Sequence, residues 1–453
     1  MNLVKRLAAL GHIENVAEKN DLNNYLPIRG KNNTINYGTV AGKVLGLLLG
    51  KELNTSKYSP EEFKNACLNE LSELQVENDI LEHIEKMYFR NNALTKVSPE
   101  FLLLGQEEKE APASKYLSQI FRSFLKTDDQ PSELDCKANF IEAIFIKMLQ
   151  KYLLDPNEKK SAKSRQEQPY LPYMADNFSK DIRFLSGKTE YLLTHFEEFL
   201  ELYNFLYCSQ LALNIRSWTS GEPRSQKMYF ILDTEKASQE RSHIKSDGFY
   251  PMHRSMATVF PILSLLDTIN KQAPDECVAP LWQYGDALVS EDYDSEELAT
   301  QISQYAETFA LNRKIKLRTG EYSSTPIDQL RLLVRYALDQ FERSRYTEKK
   351  SRHEVRDAYL KQFDEHIAKH FVQNRGSAGR VLVLNQDYLL LLTNLTIGAN
   401  GQLRFQELLK EFQARGVYFD KQSEQALIAF YERVGNVDRM SDSGDAVYVR
   451  STI

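Results

Sequence analysis

Apolar positions recur three and four residues apart along most of the chain, with polar side chains between them, a pattern that predicts helix almost throughout. The pattern is densest from Thr189 to Ile215. There Tyr191, Leu192, Phe196, Phe199, Leu200, Tyr203, Phe205, Leu206 and Leu211 predict a helix buried around most of its circumference. Ser59-Pro60-Glu61-Glu62 opens another, with Ser59 as N-cap, Pro60 at the first position and acids in the first turn. Its helical pattern runs to about Tyr88. Gly38 to Leu53 patterns as a glycine-interrupted helix, and further helices are predicted over 113–126, 139–154, 251–271, 279–288 and 295–311. Met228-Tyr229-Phe230-Ile231-Leu232 is short and bounded by turn residues, which suits either a buried strand or a helix start. Between Asp155 and Gln166 only Pro156 and Ala162 are apolar, too little to offset the entropy of ordering. That stretch predicts an exposed loop and an internal boundary.

The last seventy or so residues carry the most specific pattern. A first apolar segment, Tyr388 to Ile397, stops in Gly398-Ala399-Asn400-Gly401. A second, Leu403 to Arg415, sets Phe405, Leu408, Leu409 and Phe412 at helical spacing and ends at Gly416, a C′ glycine. Asp420 then caps a third helix with Ala426, Leu427, Phe430, Tyr431 and Val434 on one face. Val437–Met440, a turn containing Gly444, and an extended run from Ala446 to Ser451 predict a β-hairpin. Three helices followed by a hairpin make a winged helix. The fold class expected is mainly α: a multi-helical body with a C-terminal winged-helix domain carrying a small β-hairpin. Its divisions are an N-terminal helical domain (1–154), an exposed loop or linker (155–172), a central helical domain with one short possible strand (173–375) and the winged-helix domain (376–453).

A winged helix usually sets its third helix in a DNA major groove. Here that helix would present Gln422, Gln425, Ala429 and Glu432, with no cation among them. From Asn385 to Ile453 seven Lys/Arg face nine Asp/Glu, whereas an autonomous DNA reader carries a basic footprint. Two uses stay open: a protein-docking module, or a DNA contact made inside a larger assembly. The 453 residues allow two to four domains, and the net charge of −6 excludes a globally basic binder. Four widely spaced cysteines, Cys67, Cys136, Cys208 and Cys277, form no CxxC and suit a reducing cytoplasm. The N-terminal apolar stretch, Leu7 to Leu10, is too short for a signal peptide, and no apolar run approaches the ~20 residues of a transmembrane helix. A soluble, cytoplasmic protein is expected.

Candidate chemistry is sparse. The Gly-Lys pairs at Gly42-Lys43 and Gly50-Lys51 lack the glycine spacing and the following Ser/Thr of a phosphate loop, and a packed helix accounts for them. Asp233 and Glu235 suit acid/base or ligand roles, but also a strand end followed by a solvated helix start. His366 and His370 stand four apart beside Asp364 and Glu365, yet Ile367 replaces the glutamate of the zincin signature and no third ligand is evident. Arg313-Lys314-Ile315-Lys316-Leu317-Arg318 holds four cations in six residues. A longer tract from Arg343 to Arg380 holds ten Lys/Arg against five Asp/Glu and runs into the C-terminal module through a glycine-bearing hinge. Such a helix fits phosphate contacts or an ordinary solvated face laced with ion pairs.

Two separated stretches carry a family resemblance. One is Phe412-Gln413-Ala414-Arg415-Gly416-Val417-Tyr418-Phe419-Asp420 together with Arg439-Met440-Ser441-Asp442-Ser443-Gly444-Asp445-Ala446-Val447-Tyr448-Val449. The other runs from Met228 through Asp233, Glu235 and Ser238 to Arg241. Both resemble DptG (DndG-like), the G component of bacterial DNA phosphorothioation-dependent restriction systems. The resemblance implies a non-catalytic subunit, without cofactor or metal, that acts with the F and H subunits, at least one of them an NTPase, against DNA lacking the sulfur modification. The DNA-contact candidates are Arg313, Lys314, Lys316, Arg318, Lys349, Lys350, Arg352, Arg380, Lys421, Gln422, Gln425, Arg439 and Arg450, with binding weak and salt-sensitive in the isolated chain. The alternatives are a winged-helix transcription regulator and a metal-dependent nuclease using Asp233 or His366.

Overall fold

The computed structural model describes residues 2–17, 19–29, 33–90, 93–106, 110–126, 138–155, 167–236, 241–273, 276–318, 324–347, 352–440 and 446–453, apart from the side chains of 439, 440 and 446. Within them the chain is mainly helical, with three small sheets. Helices α1 (Leu3–Ala8) and α2 (Tyr37–Leu49) come first, and α2 leads into strand β1 (Glu52–Leu53). The glycines of α2 are explained by close packing. A Cβ on Gly42 would lie 2.6 Å from the Leu102 carbonyl oxygen, and one on Gly46 2.6 Å from that of Lys51. Residues 99–105 therefore press directly on the helix backbone. The stretch expected to stay helical to Tyr88 is two helices, α3 (Pro60–Glu73) and α4 (Asn78–Tyr88). Between them Gln75 takes a positive φ of 63°, and the Val76 amide bonds back to the Leu71 carbonyl. Next come α5 (Pro112–Phe124), α6 (Phe140–Gln150) with an Asn139/Glu142 capping box, and β2 (Leu153–Leu154), antiparallel to β1. Residues 53–149 include a separate small core around Phe63, Cys67, Leu71, Phe101 and Phe145, whereas α1, α2 and α5 pack into the main core with the rest of the chain.

Helices α7 (Pro172–Ser186) and α8 (Thr189–Asn214) centre that main core, and α8 is buried nearly all round from Phe199 to Ala212, as its pattern predicts. Strand β3 (Met228–Leu232) follows, then α9 (Ser242–Ser246), α10 (Phe249–Met256), α11 (Val259–Asn270), α12 (Leu281–Ser290), α13 (Ser295–Asn312), α14 (Pro326–Asp339) and α15 (Arg352–His366). Where one helix is expected over 251–271, α10 and α11 divide, because Pro261 has no N–H to offer the Ala257 carbonyl. The rest is β4 (Val372–Asn374), β5 (Arg380–Leu384), α16 (Gln386–Ile397), β6 (Gln402–Arg404), α17 (Phe405–Ala414), β7 (Val417–Tyr418), α18 (Lys421–Val434), β8 (Val437–Met440) and β9 (Ala446–Arg450).

Met228–Leu232 is a strand, and a central one. The second sheet has the order β4-β5-β3-β7, with β3 parallel to both β5 and β7. Phe230 and Leu232 face the main core with Leu382 and Leu384, while Ile231, Val381 and Val383 face Ile244 on the other side. Burial on both faces explains why this strand reads as an unbroken apolar run. The seam expected at residue 375 falls inside the antiparallel pair β4–β5, in which Asn374 lies opposite Arg380. The third sheet, β6-β9-β8, is antiparallel throughout. Its member β6 lies where the sequence pattern predicts only a turn and the start of a helix. Among the described residues no helix is long and apolar enough to cross a membrane.

Candidate nucleic-acid interface

Helix α18 is set by its ends. Asp420 accepts a hydrogen bond from the Ser423 amide at 2.9 Å, and Gly435 closes the helix in the left-handed region. Ser423, Leu427, Phe430 and Tyr431 turn inward, and the Tyr431 hydroxyl meets Thr393 of α16 at 2.7 Å. Gln422, Gln425, Ala429 and Glu432 are exposed, as periodicity predicts, and the cations Lys421 and Arg433 are exposed beside them. In the hairpin beside it, Arg450 is exposed but tied to Asp438 at 3.1 Å and to the Gly435 carbonyl. The side chain of Arg439 lies outside the described residues, as do Asp442 and Asp445.

The two stretches that carry the resemblance meet at the N-terminus of α18. Arg241 is 5% exposed at its side chain and donates to Glu235 at 2.9 Å, to Asp420 at 2.8 Å and to the Ser423 hydroxyl at 2.6 Å. Ser423 in turn donates to Glu235 at 2.8 Å, and the Leu232 amide donates to the same carboxylate at 2.7 Å. Burial works against the charge on Asp420, but Arg241 and Ser423 outweigh it and hold the carboxyl below the usual aspartate range. Glu235 thus clamps the end of β3 to α18. The Asp233 carbonyl accepts from Arg375. A second buried contact docks α17: Arg415 grips Asp181 through two bonds of 2.6 and 3.0 Å, both side chains fully buried, and Tyr203 donates to the same carboxylate at 2.5 Å.

The two basic stretches come together. Ile315 pairs with Tyr346 in an antiparallel bridge, so 314–318 lies along 343–347, with the start of α15 alongside. Arg313 is the exception and corrects the expectation of a surface contact. At the end of α13 it turns inward, 4% exposed, with its guanidinium over Phe309 and donating to the Lys19 carbonyl at 3.1 Å. Lys314 is half-buried with φ of 56°, and Lys316 is exposed with its ammonium on the Ser344 carbonyl. Arg318 and Arg345 share buried Asp339, at 2.7 and 2.8 Å for Arg318 and 3.1 Å for Arg345. Arg352 donates to the Arg313 carbonyl, and Arg380 pairs with Asp364 at 2.7 Å while lying over the Phe249 ring. Lys349 and Lys350 lie outside the described residues.

His366 and His370 do not converge on a ligand set. His370 approaches Glu201 at 3.8 Å, and Asp364 is engaged with Arg380 and His253. Among the described residues no three of His, Cys, Asp and Glu form a group that could hold a metal. Cys67, Cys208 and Cys277 are free. Arg216, Arg331 and Arg335, outside both basic stretches, line one cleft with Trp218. Only the four-residue spacing of the last two arginines hints at it. Compared with protein-family models and with curated proteins, the chain matches none.

Proposed function

We propose that this chain is a non-catalytic subunit of a phosphorothioation-dependent DNA restriction complex, docking the F-like and H-like NTPase partners and helping to engage unmodified DNA. Its C-terminal part is taken as a winged helix: α16, β6, α17, α18 and the hairpin β8–β9, with β9 pairing back on β6. The observation that carries the reading is the Arg241 clamp. The two stretches that resemble the G component are separated by 170 residues of sequence, yet their Arg241 and Asp420 form one buried ion pair that sets the third helix. The face so presented holds two cations, Lys421 and Arg433, and one carboxylate, Glu432. That is too little charge to hold phosphates unaided, which favours a contact made within an assembly.

The test is co-expression of the full chain with its F-like and H-like partners, followed by duplex binding at 50 and 200 mM salt. A stable co-purifying complex is expected, whose affinity for unmodified duplex falls steeply with salt and drops further with Lys421→Glu and Gln425→Glu together. Elution of the chain alone from a lysate containing both partners would overturn the reading.

A further inference from the structure

On the face formed by α14 and the 3₁₀ turn Ile215–Ser217 after α8, a cleft of about 180 Å³ is floored by Ile262, Val334 and Leu338. Arg216, Arg331 and Arg335 line it, all three exposed. Arg331 bonds Asp328 at 2.8 Å, but neither Arg216 nor Arg335 meets a carboxylate among the described residues. Three guanidiniums over an apolar floor make a seat for an anion, and guanidinium forks match phosphate oxygens. One helical turn beyond Arg335, about 6 Å along α14, Asp339 fixes Arg318 and Arg345, so the positive surface continues along the helix.

Trp218 forms the shared wall between this cleft and a cavity of about 330 Å³. Both tryptophans of the chain, Trp218 and Trp282, line that cavity with Tyr170. Asn214 and Gln226 supply amides at its edge, and the Gln226 Oε1 accepts nothing from the described residues. The cavity also contains Glu222 and Arg224. The three rings are nearly buried, and what the cavity presents is chiefly polar. A polar cavity with an open amide oxygen suits a base that has left its duplex, since an unpaired base offers free hydrogen-bonding edges.

We propose that the Arg216–Arg331–Arg335 cleft seats the phosphodiester backbone of an unpaired DNA strand, with one base passing Trp218 to reach the open amide oxygen of Gln226 in the neighbouring polar cavity. This rests on the DNA-engagement reading above and assigns the strand to a surface away from α18. A fluorescent 20-nucleotide single strand is titrated against the full chain at several salt concentrations. Replacing Arg216, Arg331 and Arg335 by Gln is expected to weaken binding at least tenfold and to reduce the salt slope by about 2, as three lost phosphate contacts require. Arg→Lys at the same positions is expected to keep most of the slope, and thermal melting of each variant confirms the fold. Wild-type affinity and slope in the folded Gln variant would overturn the strand seat while leaving the winged-helix reading intact. No binding by wild-type chain, alone or with its partners, would sink both. ATP or pyrophosphate displacing the strand at micromolar concentration would assign the cleft to a free nucleotide and overturn the proposal.

Discussion

Glu167 sits beneath Tyr25, whose amide donates to it at 2.7 Å, and its burial pushes its carboxyl up to about 7 against the pull of Arg29 and that amide. Because the folded value lies above the ordinary 4.5, the native state holds this proton more tightly than the unfolded chain does. The stabilisation is complete below pH 4.5 and is lost as pH rises through about 7, a change of about 3 kcal/mol. Urea unfolding at pH 4.5 and 7.5 is expected to show that fall, and Glu167→Gln to remove most of it; an unchanged slope in the variant would refute the assignment. None of this is visible in sequence, where Glu167 falls inside the stretch 155–172 that reads as an exposed loop or linker. Arg313 fails for a related reason. In Arg-Lys-Ile-Lys-Leu-Arg the charges alternate with apolar residues, which gives no sign of which cation turns inward. The Lys19 carbonyl that Arg313 meets there lies nearly three hundred residues away in the sequence.

At the scale of elements, what the sequence makes legible is local. The Asp420 cap, the C′ glycine at 416, the buried circumference of α8 and the outward face of α18 follow from spacing and capping chemistry. Strand β6 is hidden because Gln-Leu-Arg holds one apolar residue and owes its strand state to β9. The Glu235–Arg241–Asp420–Ser423 clamp is equally nonlocal, though Glu235, Arg241 and Asp420 lie in the stretches that carry the resemblance. Arg241→Ala strands two nearly buried carboxylates and is expected to cost about 3 kcal/mol. The loss belongs to the β3–α18 junction. Hydrogen exchange is therefore expected to show α18 opening well before α7 and α8, and uniform loss of protection across the chain would contradict a local clamp.

Over the whole molecule, the C-terminal module is held to the body by more than the adjoining chain. β7 pairs with β3, α17 anchors through Arg415 on Asp181, and α16 lies against α7 and α8. A fragment of residues 376–453 would expose Leu382, Leu384, Val417 and the buried Arg415 together. It is expected to give no sharp thermal transition by circular dichroism, and a cooperative melt would show an autonomous domain instead. The central place of β3 also matters during synthesis. Its neighbours β5 and β7 leave the ribosome about 150 and 185 residues later. At cellular elongation rates that is a delay on the order of 10–40 s. Throughout it this unbroken apolar segment lacks both strands that cover its edges in the finished fold, which makes the interval between residue 232 and their arrival the one most open to mispairing.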